Sequence, residues 1–293
     1  MFSTNPVPRV AAIHDLSSFG RASLTVVTPI LSSMGVQVCP LPTAVLSTHT
    51  GGFQGYHFVD LTAHLRATIA HWKDLGVEVD AIYSGFLGSP QQVDLVTDLI
   101  ESFGGQERLV VVDPVMGDDG KPYSTMGPEL IAQMRRLITR AHVITPNFTE
   151  AAFLLEEDYS LDLPLEEAKS WARRLVEMGP NVALLTSVPL PEKRGSTAVL
   201  AYDGRDHRFW KIDCNYIPAH YPGTGDAFAS VIVGSLLCGD SLPIAMDRAV
   251  QFVSMAIRAT FGHPHPPREG VLLERVLGNL NTPVTSSTYE LLE

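Results

Sequence analysis

The residues best equipped for chemistry lie in Tyr221–Ser230, Tyr-Pro-Gly-Thr-Gly-Asp-Ala-Phe-Ala-Ser. Two glycines flank a threonine, an aspartate follows at once, and a small apolar run continues to Leu237. That run predicts a helix over Asp226–Leu237, entered through a tight turn that glycine permits. The first amides of a helix have no intrahelical acceptor, so such a start attracts an anion. Asp226 is therefore a carboxylate beside an anion site. It could take a hydroxyl proton while the amides hold phosphate charge. The same stretch also fits a plain glycine turn whose acid complements the helix dipole.

A second acidic motif is Asp113-Pro114-Val115-Met116-Gly117-Asp118, at the end of the apolar run Arg108–Asp113. Hard carboxylates of this kind suit Mg²⁺, which keeps waters and bridges to phosphate oxygens. The bland alternative is a turn with solvated acids. The third motif is Thr145-Pro146-Asn147-Phe148-Thr149-Glu150-Ala151, a strand end, a proline turn and a helix start. Alone it reads as an ordinary N-cap with an acidic first turn. Thr186-Ser187, expected at another strand end, offers two hydroxyls to a phosphate or nucleotide, as many loops do. The P-loop, the G-x-G-x-x-G fingerprint and the G-x-S-x-G elbow are all absent. No zinc-like histidine spacing occurs, and His263-Pro264-His265-Pro266-Pro267 reads as a rigid loop.

These motifs need elements to hold them. Arg9–His14 predicts a buried strand, followed by a polar turn Asp15–Gly20. A helix is expected over Ala22–Met34, capped by Gly35, then a strand over Val36–Leu41 and a strand-then-loop over Thr43–Gly52. Helices are expected over Asp60–Leu75, with Asp60 as N-cap and Gly76 as C-cap, and over Gln91–Phe103. Strands follow at Ala81–Phe86 and Arg108–Asp113, the latter apolar throughout as central parallel strands are. Further helices are expected at Pro128–Arg140, Thr149–Leu155 and Pro164–Met178, with strands at His142–Thr145 and Val182–Thr186. Asp203-Gly204 marks a hairpin between Thr197–Tyr202 and His207–Cys214. Helices at Pro243–Phe261 and Glu269–Leu280 and a polar, mobile tail from Asn281 close the chain. Strands alternating with helices predict one α/β domain over residues 1–293, its mostly parallel sheet covered on both faces. Ligands in such sheets sit beyond the carboxyl ends of the strands. That rule gathers Asp15, Ser84-Gly85, Asp113, Asn147, Thr186 and the Gly223–Asp226 turn at one edge.

Composition narrows the function. A formal net charge of −11 disfavours nucleic acid and anionic membranes as partners. No apolar run is long enough for a membrane span, and Met1–Arg9 lacks the pattern of a signal peptide, so a cytoplasmic protein is expected. The three scattered cysteines, Cys39, Cys214 and Cys238, fit reduced thiols.

The motifs D-P-V-M-G-D, T-P-N-x-x-E-A and G-T-G-D-x-F, in this order and spacing, resemble the vitamin-B6 (pyridoxal/pyridoxamine) kinases of the ribokinase superfamily. The likeness runs from about Arg9 to Phe261 and includes His14-Asp15 with Gly20, and Leu46–Gly51. It implies a ribokinase-like three-layer α/β/α sandwich, a homodimer, and ATP- and Mg²⁺-dependent phosphorylation of a hydroxymethyl group on a pyridine ring. The residues leave open whether a monovalent cation takes part. By resemblance Asp226 is the catalytic base and Gly223, Thr224 and Gly225 form an anion hole. Asp113, Asp118, Asn147 and Glu150 match positions near the ATP phosphates and metal, with Asp113 and Glu150 as the metal residues. Thr186 and Ser187 match residues beside the nucleotide, and Asp15, Thr50 and Phe86 match positions around the ring. Phosphoryl transfer needs alignment and charge neutralisation more than covalent chemistry, which such a set can supply.

Three positions bear on the substrate. Many pyridoxal kinases carry Ser where this chain has Asp15, and relatives acting on hydroxymethylpyrimidine carry Asp there. Those pyrimidine kinases usually end the glycine motif in Cys, where this chain has Asp226. Phe86 replaces a common Tyr. The expectation is a B6 vitamer, with a hydroxymethylpyrimidine kinase or a non-catalytic ligand-binding relative as alternatives.

Overall fold

The computed structural model describes residues 6–103, 108–193, 195–215, 217, 219–282 and 287–292. In chain order the elements are β1 (Arg9–Ser17), α1 (Leu24–Ser33), β2 (Gln37–Leu46), β3 (Phe58–Asp60), α2 (Thr62–Leu75), β4 (Ala81–Ser84), α3 (Pro90–Phe103) and β5 (Leu109–Val112). A small hairpin of β6 (Gly117–Asp118) and β7 (Lys121–Pro122) follows, then α4 (Pro128–Ile138), β8 (Val143–Ile144), α5 (Phe148–Leu155) and α6 (Leu165–Glu177). The last third holds β9 (Val182–Pro189), β10 (Ser196–Asp203), β11 (Arg208–Asn215), α7 (Thr224–Leu237), α8 (Leu242–Phe261) and β12 (Glu290–Leu292).

One sheet carries the molecule, in the order β12-β11-β10-β9-β8-β5-β4-β1-β2-β3. The run from β9 to β2 is parallel, while β10, β11, β12 and β3 are antiparallel additions at its two sides. The period-two alternation of the strands divides the core. Ala11, Ile13, Ile82, Val110, Val112 and Ile144 face a layer built from α2 to α6. Val10, Ala12, Tyr83, Val111, Val143 and Leu184 face α1, α7 and α8. Both faces of the parallel strands are thus apolar, which is why their sequences read as unbroken hydrophobic runs. This is the three-layer α/β/α arrangement of the ribokinase-like fold.

Several expectations need correction. The predicted turn over Asp15–Gly20 starts later, because β1 stays paired with β2 through Ser17. The strands expected at Val36–Leu41 and from Thr43 are one strand, β2, which runs through Pro40 and Pro42, and the loop expected toward Gly52 follows it. Asp60 lies in β3, and Leu61 is the N-cap of α2; Asp60 still accepts bonds from the backbone and hydroxyl of Thr62. The helix expected over Glu269–Leu280 is three short 3₁₀ turns, Pro267–Glu269, Leu273–Arg275 and Leu277–Asn281, the first of them ended by Gly270 at φ 80°. The tail expected to be mobile from Asn281 returns to the sheet: β12 pairs with β11, and Thr288 donates to the buried Asp247 carboxylate at 2.7 Å. Residues 283–286 and 293 of that tail lie outside the described residues.

Candidate active site

A cleft of about 230 Å³ opens beyond the carboxyl ends of the parallel strands. Every predicted site residue lines it: Asp15, Thr50 and Phe86; Asp113, Asp118, Asn147 and Glu150; Thr186 and Ser187; and Gly223, Thr224, Gly225 and Asp226.

One wall is built by β1, the start of α1 and the start of α7. Gly223 is the N-cap of α7 in the left-handed conformation, at φ 82°. A Cβ there would sit 2.3 Å from the Arg21 carbonyl oxygen, so the turn admits only glycine. At Gly225 a Cβ would meet nothing within 4 Å, because that face is the open cleft. Thr224 donates its hydroxyl back to the Tyr221 carbonyl at 3.0 Å, which fixes the turn. Asp226 then falls in the first turn with 12 % of its side chain exposed. Its Oδ2 accepts the Ser23 backbone N–H at 2.8 Å. Its Oδ1 lies 3.7 Å from His14 Nδ1.

Ser23 also donates its hydroxyl to Asp15 Oδ1, while Ser17 donates to Asp15 Oδ2 at 3.0 Å. Asp15 takes hydroxyls rather than the N–H groups that a turn cap would use; the Ser18 N–H goes instead to Leu46. The aim of Asp15 comes from a break in register. His14 pairs with Pro42 but Leu16 pairs with Val45, so β2 carries one extra residue opposite Asp15. Such a bulge twists the ladder locally and re-aims side chains. Ser23 has φ 53°, a rare conformation for a residue with a Cβ. Phe86 lines the cleft from the end of β4 and is otherwise part of the α2–α6 core.

The facing wall is built by the ends of β5, β8 and β9 and the start of α5. Asp113 follows β5 and accepts the Thr145 hydroxyl at 3.0 Å. Asn147 and Glu150 form a reciprocal capping box: Asn147 Oδ1 accepts the Glu150 N–H at 2.9 Å, and Glu150 Oε2 accepts the Asn147 N–H at 2.8 Å. Glu150 Oε1 takes the Met116 N–H at 3.0 Å, which ties the Asp113 loop to the helix. Asn147 Nδ2 donates to the Gly117 carbonyl at 2.8 Å and so anchors the β6–β7 hairpin that bears Asp118.

Thr186 and Ser187 were expected at a strand end and instead sit within β9. Leu200 pairs with Leu185 and Ala198 with Val188, so these two residues form a bulge, with Ser187 at φ 58°. The antiparallel β10, which the parallel pattern does not announce, prolongs the strand past them.

The electrostatics follow from this packing. Burial, reinforced by the charges of Asp113 and Asp15 and opposed by the Ser23 N–H, pushes Asp226 up to about 8. Burial raises Asp113 to about 7, against the Thr145 hydroxyl bond. Glu150 is held well above the ordinary carboxylate range by burial and by Asp113, although its two backbone N–H bonds oppose this. Asp118 and Asp15 are raised too, each mainly by burial. The cleft therefore concentrates acids that need a cation. Among the described residues no three His, Cys, Asp or Glu side chains converge as a metal cage. The oxygen donors present fit Mg²⁺, which is commonly held by one or two carboxylates plus waters and substrate phosphates.

The sequence motifs left out Ser23, Tyr83 and Tyr123. Ser23 precedes a helix and resembles any N-cap. Tyr83 donates to the Asp226 carbonyl at 3.5 Å from inside an apolar strand. Tyr123 lies beyond the β6–β7 hairpin and lines the acidic cleft. Only the fold brings them to the site.

A sheet-edge anion turn, a buried acid on it and facing acidic loops define a small-molecule kinase of the ribokinase type. The chain belongs to the phosphomethylpyrimidine kinase family, whose sequence model matches residues 30–268. It is 32% identical over 244 residues to the hydroxymethylpyrimidine/phosphomethylpyrimidine kinase of Bacillus subtilis, covering 82% of this chain and 85% of that protein. It spans 47% of a matching bifunctional thiamine-biosynthesis enzyme of Arabidopsis thaliana, about half its length. A proposed phosphomethylpyrimidine kinase of Bacteroides thetaiotaomicron, crystallised with pyridoxal, is 54% identical at a TM-score of 0.95, covering 98% of this chain and 100% of that one. Pyridoxal kinase from Lactobacillus plantarum is 32% identical at a TM-score of 0.85, covering 94% and 97%. Relatives thus carry both kinase names, and the fine substrate is a separate question.

Proposed function

We propose that this chain is an ATP-dependent kinase that phosphorylates the 5′-hydroxymethyl group of a B6 vitamer, releasing the 5′-phosphate and ADP. The observation that carries the proposal is Asp226: a carboxylate only 12 % exposed on the first turn of α7, lining the cleft next to the open face at Gly225. In this reaction Asp226 takes the hydroxyl proton as the alkoxide oxygen forms its bond to the γ-phosphorus. The bond from that phosphorus to the ADP oxygen breaks. The amides of Thr224 and Gly225 stabilise charge on the transferring group. Asp113 and Glu150, with Asp118 near them, would hold Mg²⁺ through waters. When bound it neutralises phosphate charge and relieves the repulsion among these acids.

Asp15 would face the pyridine nitrogen and favour its protonated form. The Bacteroides protein crystallised with pyridoxal supports a vitamer, since its likeness covers nearly the whole chain. The family description and the Bacillus subtilis relative support hydroxymethylpyrimidine or its phosphate as the second reading. A cytoplasmic homodimer belongs to the same proposal.

The test is ADP release with pyridoxal, pyridoxamine, pyridoxine, hydroxymethylpyrimidine and its monophosphate. The expected result is a kcat/KM at least about tenfold higher for a B6 vitamer than for either pyrimidine, the discrimination that a well-placed polar contact supplies. A preference for the pyrimidines overturns the vitamer assignment. Tight ligand binding without turnover overturns the kinase.

A further inference from the structure

His14 is fully buried, at 0% exposure, and it points at the proposed base. Neither ring nitrogen has a hydrogen-bond partner among the described residues. An imidazole in this position is unusual, because a buried polar group without a partner carries its full desolvation penalty. The surroundings hold the ring in one place. Tyr83 packs on it edge-to-face at a centroid distance of 4.4 Å. On another side is the Gly85 backbone, where a Cβ would come within 2.3 Å of His14 Nδ1. The nearest ionisable partner is Asp226 Oδ1, at 3.7 Å from Nδ1.

We propose that His14 is the positioning residue of Asp226. Its Nδ1–H closes onto Oδ1 of the ionised carboxylate when substrate fills the cleft, while the Ser23 N–H holds Oδ2. With both oxygens pinned from behind, the remaining lone pair of the carboxylate is aimed at the substrate hydroxyl. Catalytic hydrogen bonds are often long without substrate and shorten in the reacting complex. Burial pushes His14 down to about 3, so the ring is neutral and carries one N–H. A neutral donor stabilises the carboxylate without adding a cation to a site that must handle phosphate. Nothing leaves or enters His14 in this role, and it does not touch the substrate. Other ionisable groups acting on Asp226 or close to it are Asp15 and Asp113, with Tyr83 and Tyr123. Among them His14 alone offers a nitrogen to Oδ1.

The inference rests on Asp226 being the base, and a double-mutant cycle separates the two claims. His14→Phe should lower kcat about 10–100-fold with both KM values within about threefold, as expected when an interaction made mainly in the transition state is lost. His14→Gln, which restores an N–H of similar reach, should recover most of the loss. Gly85→Ala keeps the imidazole but displaces it, and should lower kcat in the same way. In an Asp226→Asn background, His14→Phe should cost less than about twofold. If Asp226→Asn itself turns over normally, the base assignment falls and takes this one with it. If Asp226→Asn is impaired but His14→Phe lowers kcat equally in both backgrounds, only the positioning role falls. ¹⁵N NMR of the folded wild-type protein with bound vitamer supplies a readout that needs no variant. Protonation at Nδ1 is expected, and a proton on Nε2 alone overturns the proposal.

Discussion

The two walls of the cleft hold their acids in opposite ways. Glu150, on the wall made by β5, β8 and α5, has both carboxylate oxygens bonded to backbone N–H groups, one from its own helix cap and one from the Asp113 loop. Asp226, on the other wall, accepts a single backbone N–H from Ser23, and its second oxygen lies 3.7 Å from His14 Nδ1. Glu150 therefore fixes shape: it staples a loop to a helix start, and each oxygen keeps a lone pair for a water of the proposed metal. Asp226 is left under-bonded in a crowd of negative charge, which is the condition for a group that must exchange a proton. Glu150 is buried, Asp226 nearly so, and both are raised, so burial alone does not distinguish a base from a brace. The number and origin of the donors does.

The largest effect is expected from Asp226→Asn. Turnover is expected to fall about 10²–10⁴-fold, the range for loss of a general base, with nucleotide and vitamer affinity largely kept. Isothermal titration alongside steady-state kinetics checks both halves. Near-normal turnover would remove Asp226 from the base role.

The two glycines of the turn provide the next test, since they divide structure from chemistry within three residues. Gly223→Ala places a methyl against the Arg21 carbonyl at positive φ and should destabilise the fold by about 2–4 kcal/mol, seen as a lower melting temperature. Gly225→Ala meets no protein atom and should leave melting unchanged. It should lower kcat about tenfold, because the methyl occupies the space where amides approach the transferring group. Equal melting losses in the two variants would dissolve the distinction.

A third test uses pH. Asp226 is raised from 3.8 to about 8 in the folded protein, so the native state holds a proton that the unfolded chain releases. The associated stability is complete below the unfolded value and is lost as pH rises through about 8. Asn cannot ionise, so Asp226→Asn should melt higher than wild type at pH 9 and close to it at pH 4. A difference on the order of 2 kcal/mol, roughly 4–8 °C, is expected after allowance for partial exposure. In the wild type, kcat/KM should rise with pH toward about 8. A melting difference that does not grow with pH overturns the assignment.

The smallest effect concerns the ring. Asp15→Ser should alter the ratios of kcat/KM among pyridoxal, pyridoxamine and pyridoxine by about 3–10-fold, within the usual worth of a single polar contact. It should also shift their pH dependence. Unchanged ratios with a lower melting temperature would leave Asp15 as a partner of Ser17 and Ser23 and nothing more.

Much of this was readable from the chain. Unbroken apolar runs marked the parallel strands, and the rule that ligands sit at their carboxyl ends collected the site residues on one cleft. Local signals did this work: Gly-Thr-Gly-Asp before a helix, Asn147 three residues before Glu150, Asp113 after four apolar residues. What escaped depends on partners far away in sequence. The strand β12 exists because Glu290–Leu292 finds Lys211–Phe209, and Leu291-Leu292 alone is too short to announce it. The strand β3 is three residues pairing with the end of β2. Ser23 contacts Asp226 across 203 positions. The bulge at Thr186-Ser187 is defined by the count of residues in β10, which β9 does not contain.

That bulge has a consequence for how such a chain can vary. Leu185 and Val188 face the same layer although an odd number of positions separates them, because the bulge between them resets the alternation. Exchanging Thr186 or Ser187 for another small polar residue leaves the reading frame of the strand intact. Losing either one would abolish the bulge: Val188 would keep its layer by ordinary alternation, but the cleft would lose one of the two hydroxyl residues that the bulge presents to it. Losing the extra residue of β2 would likewise abolish the bulge opposite Asp15. Along these two strands, descent can experiment freely with letters and hardly at all with length.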